Sequence, residues 1–260
     1  MHKPKRRNAY FKLYLLLSLI LAGGALSCCS IKQSKGPNYI SGHRPHRSFL
    51  YIELVNAAEK CENGLCYEGL YASAGSGFSI APLGKHHTLA ITAGHVCMVP
   101  PGSINKSIIA TSYGGAKHQV QVIAIHGDTD TCVLAVLNAR IPPLEVADDD
   151  LNVGDRVMAM GAPLGIHGSS MVAMFDGYFS GPAGNTPYPP SSSGALSLYG
   201  YTIPARPGSS GGPILNHRNE VVGMIALAHP SFENFALSPT QQELRAVLKA
   251  SIKAAREQGR

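Results

Sequence analysis

The sequence predicts an all-β protein built as two six-stranded antiparallel β-barrels and followed by one C-terminal α-helix. Three observations carry this reading. The 260 residues include 28 glycines and 18 prolines, set between short apolar runs, a pattern of many strands and turns. Those runs fall into two blocks of six, separated by a polar, proline-containing stretch over residues 138–152. After Pro239 the apolar period lengthens from two residues to about 3.6. With 45% hydrophobic and 15% charged residues, the chain has ample material for a core.

The first barrel, about 48–140, takes its strands from residues 49–55, 70–80, 87–93, 107–112, 118–125 and 132–137. Turn signals at Gly75, Gly84, Gly102, Gly114 and Gly115 separate them. Six strands are enough to close a small barrel. The second barrel, about 150–238, takes residues 155–160, 171–179, 196–203, 212–215, 221–227 and 235–237. A Pro/Ser-rich loop is expected over residues 181–194. In the last segment, about 239–257, Leu244, Val247, Leu248 and Ile252 recur at helical spacing, which predicts an amphipathic helix packed on the second barrel.

The N-terminus reads as an export signal. Lys3, Lys5, Arg6, Arg7 and Lys12 precede an apolar stretch over residues 13–26, which is short beside the roughly 20 residues of a membrane span. Residues 1–27 are expected to be a signal peptide and residues 28–47 a basic tether. Gly24 to Cys28 is similar to a bacterial lipoprotein cleavage box, with Cys28 as the lipidated residue, although Ala25 stands where leucine is usual. Lipoprotein, plain export and uncleaved signal anchor are all open. Each places the body outside the cytoplasm, and two of them attach it to a membrane.

The net charge of +6 belongs to this tail. Residues 1–47 hold nine of the 22 Lys and Arg and no acid, so the rest carries 13 basic against all 16 acidic residues. A nucleic-acid partner needs a basic face on the folded body, and none is expected. Beyond Cys28 and Cys29, four cysteines remain, compatible in an exported chain with two disulfides. Cys61 and Cys66 would close a small loop. Cys97 and Cys132 each lie two residues beyond a candidate catalytic residue, so folding that joins those residues brings the two cysteines near. Paired CxxC spacing is missing, and neither metal nor cofactor is expected.

The candidate chemistry is nucleophilic. Ser210 sits in Pro207-Gly208-Ser209-Ser210-Gly211-Gly212-Pro213, His95 ends the apolar run 89–95, and Asp130 heads the apolar run 131–136. A serine hydroxyl needs a base to take its proton and a carboxylate to hold that base, so His95, Asp130 and Ser210 together read as a serine hydrolase. Asp128 would share a strand face with Asp130, but only Asp130 directly precedes the apolar run. The Gly-X-Ser-X-Gly pattern also fits an α/β-hydrolase elbow. That fold needs alternating helices and the order Ser, Asp, His, and here the serine comes last.

Over residues 68–256 these motifs resemble the trypsin-like serine proteases, nearest to the bacterial HtrA-type branch. Gly75-Ser76-Gly77-Phe78, Thr92-Ala93-Gly94-His95, the strand after Asp130, residues 153–165, Gly208 to Pro213 and residues 234–239 follow in the family's order. The resemblance implies a serine endopeptidase acting on protein or peptide substrates. It also implies an oxyanion hole from the Gly208 and Ser210 N–H groups, and a P1 pocket with Pro204 at its base and Ile225, Ala226 and Leu227 on its wall. No acid lies there, so a small or medium aliphatic P1 residue is expected rather than Arg or Lys. No Ile-Val-Gly-Gly-like new N-terminus follows the tether, and no PDZ domain is expected after the helix. Residues 181–194 read as a solvated loop or, by the resemblance, a regulatory one. Two other functions remain open: a non-catalytic envelope protein of this fold that binds peptides, and an esterase-like acyl hydrolase.

Overall fold

The computed structural model describes residues 44–62, 65–99, 103–187, 195–229 and 234–258. The expected signal peptide, Cys28 and the tether up to residue 43 lie outside the described residues. Six strands close the first barrel: β1 (Phe49–Glu62), β2 (Leu65–Leu83), β3 (His87–Ala93), β4 (Ser103–Ser112), β5 (Lys117–His126) and β6 (Thr131–Val136). A helical turn, α1 (Gly94–Cys97), follows β3. The ladder runs β1-β2-β3-β6-β5-β4 and returns to β1. β1 is buried on both faces at its start, from Phe49 to Ile52, and alternates after it: Ile52 and Leu54 are buried while Val55 is exposed. β1 and β2 continue past the barrel as a hairpin arm in which Cys61 and Cys66 are direct register partners.

The linker is pinned rather than loose. The Thr88 hydroxyl donates to the Ala139 carbonyl (2.8 Å) and accepts from the Ile141 N–H (3.1 Å), and the Leu144 N–H donates to the Ser79 carbonyl (2.8 Å). These bonds satisfy backbone groups of the irregular linker at its buried residues Ala139, Ile141 and Leu144.

The second half departs from the expected closed barrel. Its strands are β7 (Arg156–Gly161), β8 (Ala173–Pro187), β9 (Ala195–Tyr201), β10 (Pro213–Leu215), β11 (Val221–Met224), β12 (Leu227–Ala228) and β13 (Ala236–Pro239). They form one seven-stranded sheet in the order β11-β10-β7-β8-β9-β13-β12, which does not close. The apolar run 221–227 is two strands, not one. At the break, Ile225 donates to the Gly212 carbonyl (2.9 Å) and Ala226 to the Leu237 carbonyl (2.9 Å). The chain thus passes from one sheet edge to the other, and β11 and β12 do not pair. β8 also runs to Pro187, so part of the expected 181–194 loop is strand; residues 188–194 lie outside the described residues.

The last helix, α2 (Gln241–Gln258), is capped at its N-terminus by Thr240. The Thr240 hydroxyl donates to the Glu243 carboxylate (2.6 Å) and accepts from the Glu243 N–H (3.3 Å). The helix packs on the second sheet, as expected, and also on the first barrel. Leu244, Leu248 and Ala255 join the core that holds Ile80, Leu89 and Val133 of the first barrel, and the helix touches β2, β6 and β11. That seat covers the outer face of β3 and β6, whose residues are nearly all buried. Asp150 and Asp148, in the linker, pair with Arg245 and Lys249 on the helix.

Candidate active site

Strand order places the first two candidate residues. β3 and β6 are antiparallel neighbours with Ala93 opposite Thr131, so His95 and Asp130 leave the barrel at the same end. The chain before Asp130 forms a 3-10 turn (Gly127–Thr129), and Asp130 itself is left-handed at φ 43°. Aspartate tolerates that region better than most side chains. Its main chain is held by the Gly94 N–H, which donates to the Asp130 carbonyl (2.7 Å).

The carboxylate is 4% exposed and accepts twice from one residue. Oδ1 takes the His95 backbone N–H (2.9 Å) and Oδ2 takes the ring Nδ1–H (2.8 Å). An ionised carboxylate can only accept, so the proton sits on Nδ1 and Nε2 of the neutral ring is left as acceptor. Asp128, the alternative acid, is exposed in the 3-10 turn. The arrangement has a covalent brace. Cys97 in α1 and Cys132 in β6 form a disulfide, S–S 2.10 Å and Cα–Cα 6.4 Å. It spans 35 residues of sequence, so in the chain-entropy account it stabilises by about 4 kcal/mol. Replacing both cysteines with alanine is expected to lower the urea-unfolding free energy by roughly that amount; a loss below about 1 kcal/mol would contradict it.

The third residue arrives from the second half. Ser210 is half-buried on the turn before β10, and its carbonyl accepts from the Ser76 N–H on β2 (2.7 Å). Gly211 lies against the end of β3: a Cβ built there would fall 2.1 Å from the Ser76 carbonyl oxygen and 2.7 Å from the Ala93 nitrogen. The turn carrying Ser210 therefore abuts the end of β3, two residues before His95. Gly208 has φ +94°, and a Cβ there would fall 2.3 Å from the Ala162 carbonyl oxygen. Neither the Gly208 nor the Ser210 N–H has a partner among the described residues.

Of the expected pocket residues, Pro204 is half-buried, Ile225 and Ala226 are buried, and Leu227 is partly exposed. Ile225 packs into the core of the second sheet with Val222 and Tyr201, and Leu227 against Leu198 and Leu237. The Tyr51 and His167 rings stack at 3.6 Å between centroids. Burial and the Glu53 carboxylate hold the Tyr51 phenol above its usual range. Sequence reasoning missed Ser76, quoted only as part of a glycine-rich strand. Its signal is a small hydroxyl residue between two glycines of a barrel strand, where an apolar side chain is the norm.

A family model described as a trypsin-like peptidase domain matches residues 75–224. A probable periplasmic serine endoprotease DegP-like from Chlamydia pneumoniae is 29% identical over 151 residues, 58% of this chain and 28% of that one. The chain thus aligns with less than a third of that relative's length. Among solved structures, the active form of the Rv3671c protease from M. tuberculosis superposes with a TM-score of 0.61 at 21% identity, covering 80% of this chain and 82% of that one. An HtrA-type protease, AlgW, solved with a decapeptide, gives a TM-score of 0.66 at 16% identity, covering 81% and 65%. At these identities the structures speak for the fold. The family match spans more than half of the sequence and includes His95, Asp130 and Ser210, and the chain belongs to the trypsin-like peptidase domain family.

Proposed function

We propose that this protein is a serine endopeptidase working through Ser210, His95 and Asp130. The observation that carries the reading is the doubly bonded His95–Asp130 pair, placed at the barrel end against which the Ser210 turn packs. Ser210 Oγ attacks the scissile carbonyl carbon while His95 Nε2 takes the hydroxyl proton. The imidazolium so formed is stabilised by the buried Asp130 carboxylate. The carbonyl oxygen gains negative charge and is received by the Gly208 and Ser210 N–H groups, which have no acceptor among the described residues. Collapse breaks the C–N bond, and His95 delivers its proton to the leaving amine. Water then cleaves the acyl-serine ester by the same base.

The substrate is a protein or peptide. A P1 pocket formed by Pro204, Ala226 and Leu227 holds no charge and favours small or medium aliphatic side chains; Ile225 supports its wall from the core. The site works outside the cytoplasm, since an oxidising compartment is where a Cys97–Cys132 bridge persists. The matched relative is named as periplasmic. No helix among the described residues is long and apolar enough to cross a membrane. Export, with membrane attachment through Cys28 or the apolar stretch 13–26, therefore rests on the N-terminal segment.

A fluorophosphonate probe tests the assignment. Wild type is expected to label, and Ser210→Ala to lose all labelling while keeping its circular dichroism spectrum. A folded wild type that does not label overturns the reading in favour of a peptide-binding protein of the same fold. Labelling with turnover of esters and none of peptides would instead establish an acyl hydrolase.

A further inference from the structure

We propose that Ser76 is a positioning residue that fixes the oxyanion-binding turn, an inference that rests on the peptidase reading of Ser210. Ser76 lies on β2, in the first barrel, and is 0% exposed. Each of its polar groups is engaged. Its N–H donates to the Ser210 carbonyl (2.7 Å), and its own carbonyl accepts from the Thr92 hydroxyl (2.6 Å). Its hydroxyl donates to the Gly208 carbonyl (2.7 Å) and accepts from the Ala162 N–H at the end of β7 (2.9 Å).

The hydroxyl bond sets the orientation of the peptide between Gly208 and Ser209. With that carbonyl turned toward β2, rotation about the Gly208 bonds is restrained, and so is the direction of the neighbouring Gly208 N–H. A second bond restrains the preceding peptide, since the Leu164 N–H donates to the Pro207 carbonyl (2.6 Å). Glycine at φ +94° has no side chain to hold its conformation, so its peptides keep one orientation only where neighbours fix their carbonyls. Ser76 is the sole side chain among the described residues that bonds a carbonyl of the 207–210 turn. It also links both halves of the molecule, touching Ala162 and Gly208 from the first barrel. The Ser76 hydroxyl does not contact substrate. It acts through the Gly208 N–H, which does.

The test compares full-length wild type, Ser76→Ala and Ser76→Thr. Gly208 can be observed singly, because the sequence holds only two Pro–Gly pairs, Pro101–Gly102 and Pro207–Gly208. Carbonyl-¹³C proline with ¹⁵N-glycine labelling therefore yields two amide signals. In Ser76→Ala the Gly208 amide is expected to shift or broaden, because the peptides on either side of it are no longer held in one orientation. In Ser76→Thr, which keeps the hydroxyl, it is expected to match wild type. In parallel, kcat on a peptide substrate is expected to fall about 10- to 100-fold in Ser76→Ala, with KM within about twofold. That is less than the roughly 100- to 1,000-fold loss of a whole oxyanion donor. Ser76→Thr restores kcat.

A purely structural serine would lower the melting temperature and leave kcat untouched at temperatures where the variant is folded. Unchanged kcat, or an unchanged Gly208 amide, in folded Ser76→Ala overturns the proposal. If wild type neither labels nor turns over, the peptidase reading fails, and the Gly208 amide alone decides whether Ser76 holds the turn. Should Ser76→Ala not fold, Ser76→Cys, of similar size with a weak donor, takes its place.

Discussion

Asp130→Asn is expected to lower kcat by about 10⁴-fold while leaving the protein folded, the size of loss that follows when a triad histidine is held in the wrong tautomer. The carboxylate now has two acceptors for two donors, Oδ1 for the His95 backbone N–H and Oδ2 for Nδ1–H. An asparagine side chain keeps one oxygen, which can stay on the backbone N–H and preserve the local fold. Its NH₂ group then meets Nδ1 and can only donate, so the ring proton moves to Nε2. The nitrogen that must take the Ser210 proton is thereby blocked, and the imidazolium has lost its buried counter-charge. Steady-state kinetics on a peptide or ester substrate, beside a thermal melt, reads both halves of the expectation. Asp128→Asn is the control, since Asp128 is exposed, and its kcat is expected to stay within about twofold of wild type. A loss below tenfold in Asp130→Asn, or a comparable loss in Asp128→Asn, would mean that Asp130 does not orient His95.

The parts of this site that were legible in the sequence are those fixed by local pattern. An apolar strand ending at His95 and another beginning after Asp130 place two residues at strand ends, and antiparallel pairing of those strands brings the ends together. The cysteines two residues beyond each follow from the same register. Elements settled by distant partners were not legible. The run 221–227 is continuously apolar, yet it breaks at Ile225 and Ala226 because their N–H groups bond Gly212 and Leu237. The period of α2 announces an apolar face without saying what covers it, and Leu248 joins a core shared by the first barrel and the second sheet. Ser76 looks by type like any strand serine. Its partners Ala162 and Gly208 stand 86 and 132 residues away.

Gly211→Ala is expected to cost about 3 kcal/mol or more in folding stability and to abolish fluorophosphonate labelling. Two independent constraints meet at this residue. Its φ of +86° is a conformation that alanine adopts only with strain. Its missing side chain is the space through which β2 and β3 approach: a Cβ would stand 2.1 Å from the Ser76 carbonyl oxygen, 2.3 Å from the Thr92 hydroxyl and 2.7 Å from the Ala93 nitrogen. Two of these three atoms are backbone and cannot swing aside as a flexible side chain would. Relief requires the whole turn to move outward, and that movement also stretches the Gly211 N–H bond to the Ile225 carbonyl (2.7 Å) and the Ser76 bond to Ser210. Gly114→Ala supplies the contrast. Nothing lies within 4 Å of a Cβ built there, and its unfolding free energy is expected to stay within about 0.5 kcal/mol of wild type. Urea unfolding of both variants reads the difference. A Gly211→Ala protein as stable as wild type and still labelled would show that the turn has room to retreat without losing the serine. The proposed site needs the opposite: the turn packed so closely on the end of β3, two residues before His95, that one added methyl group would force them apart.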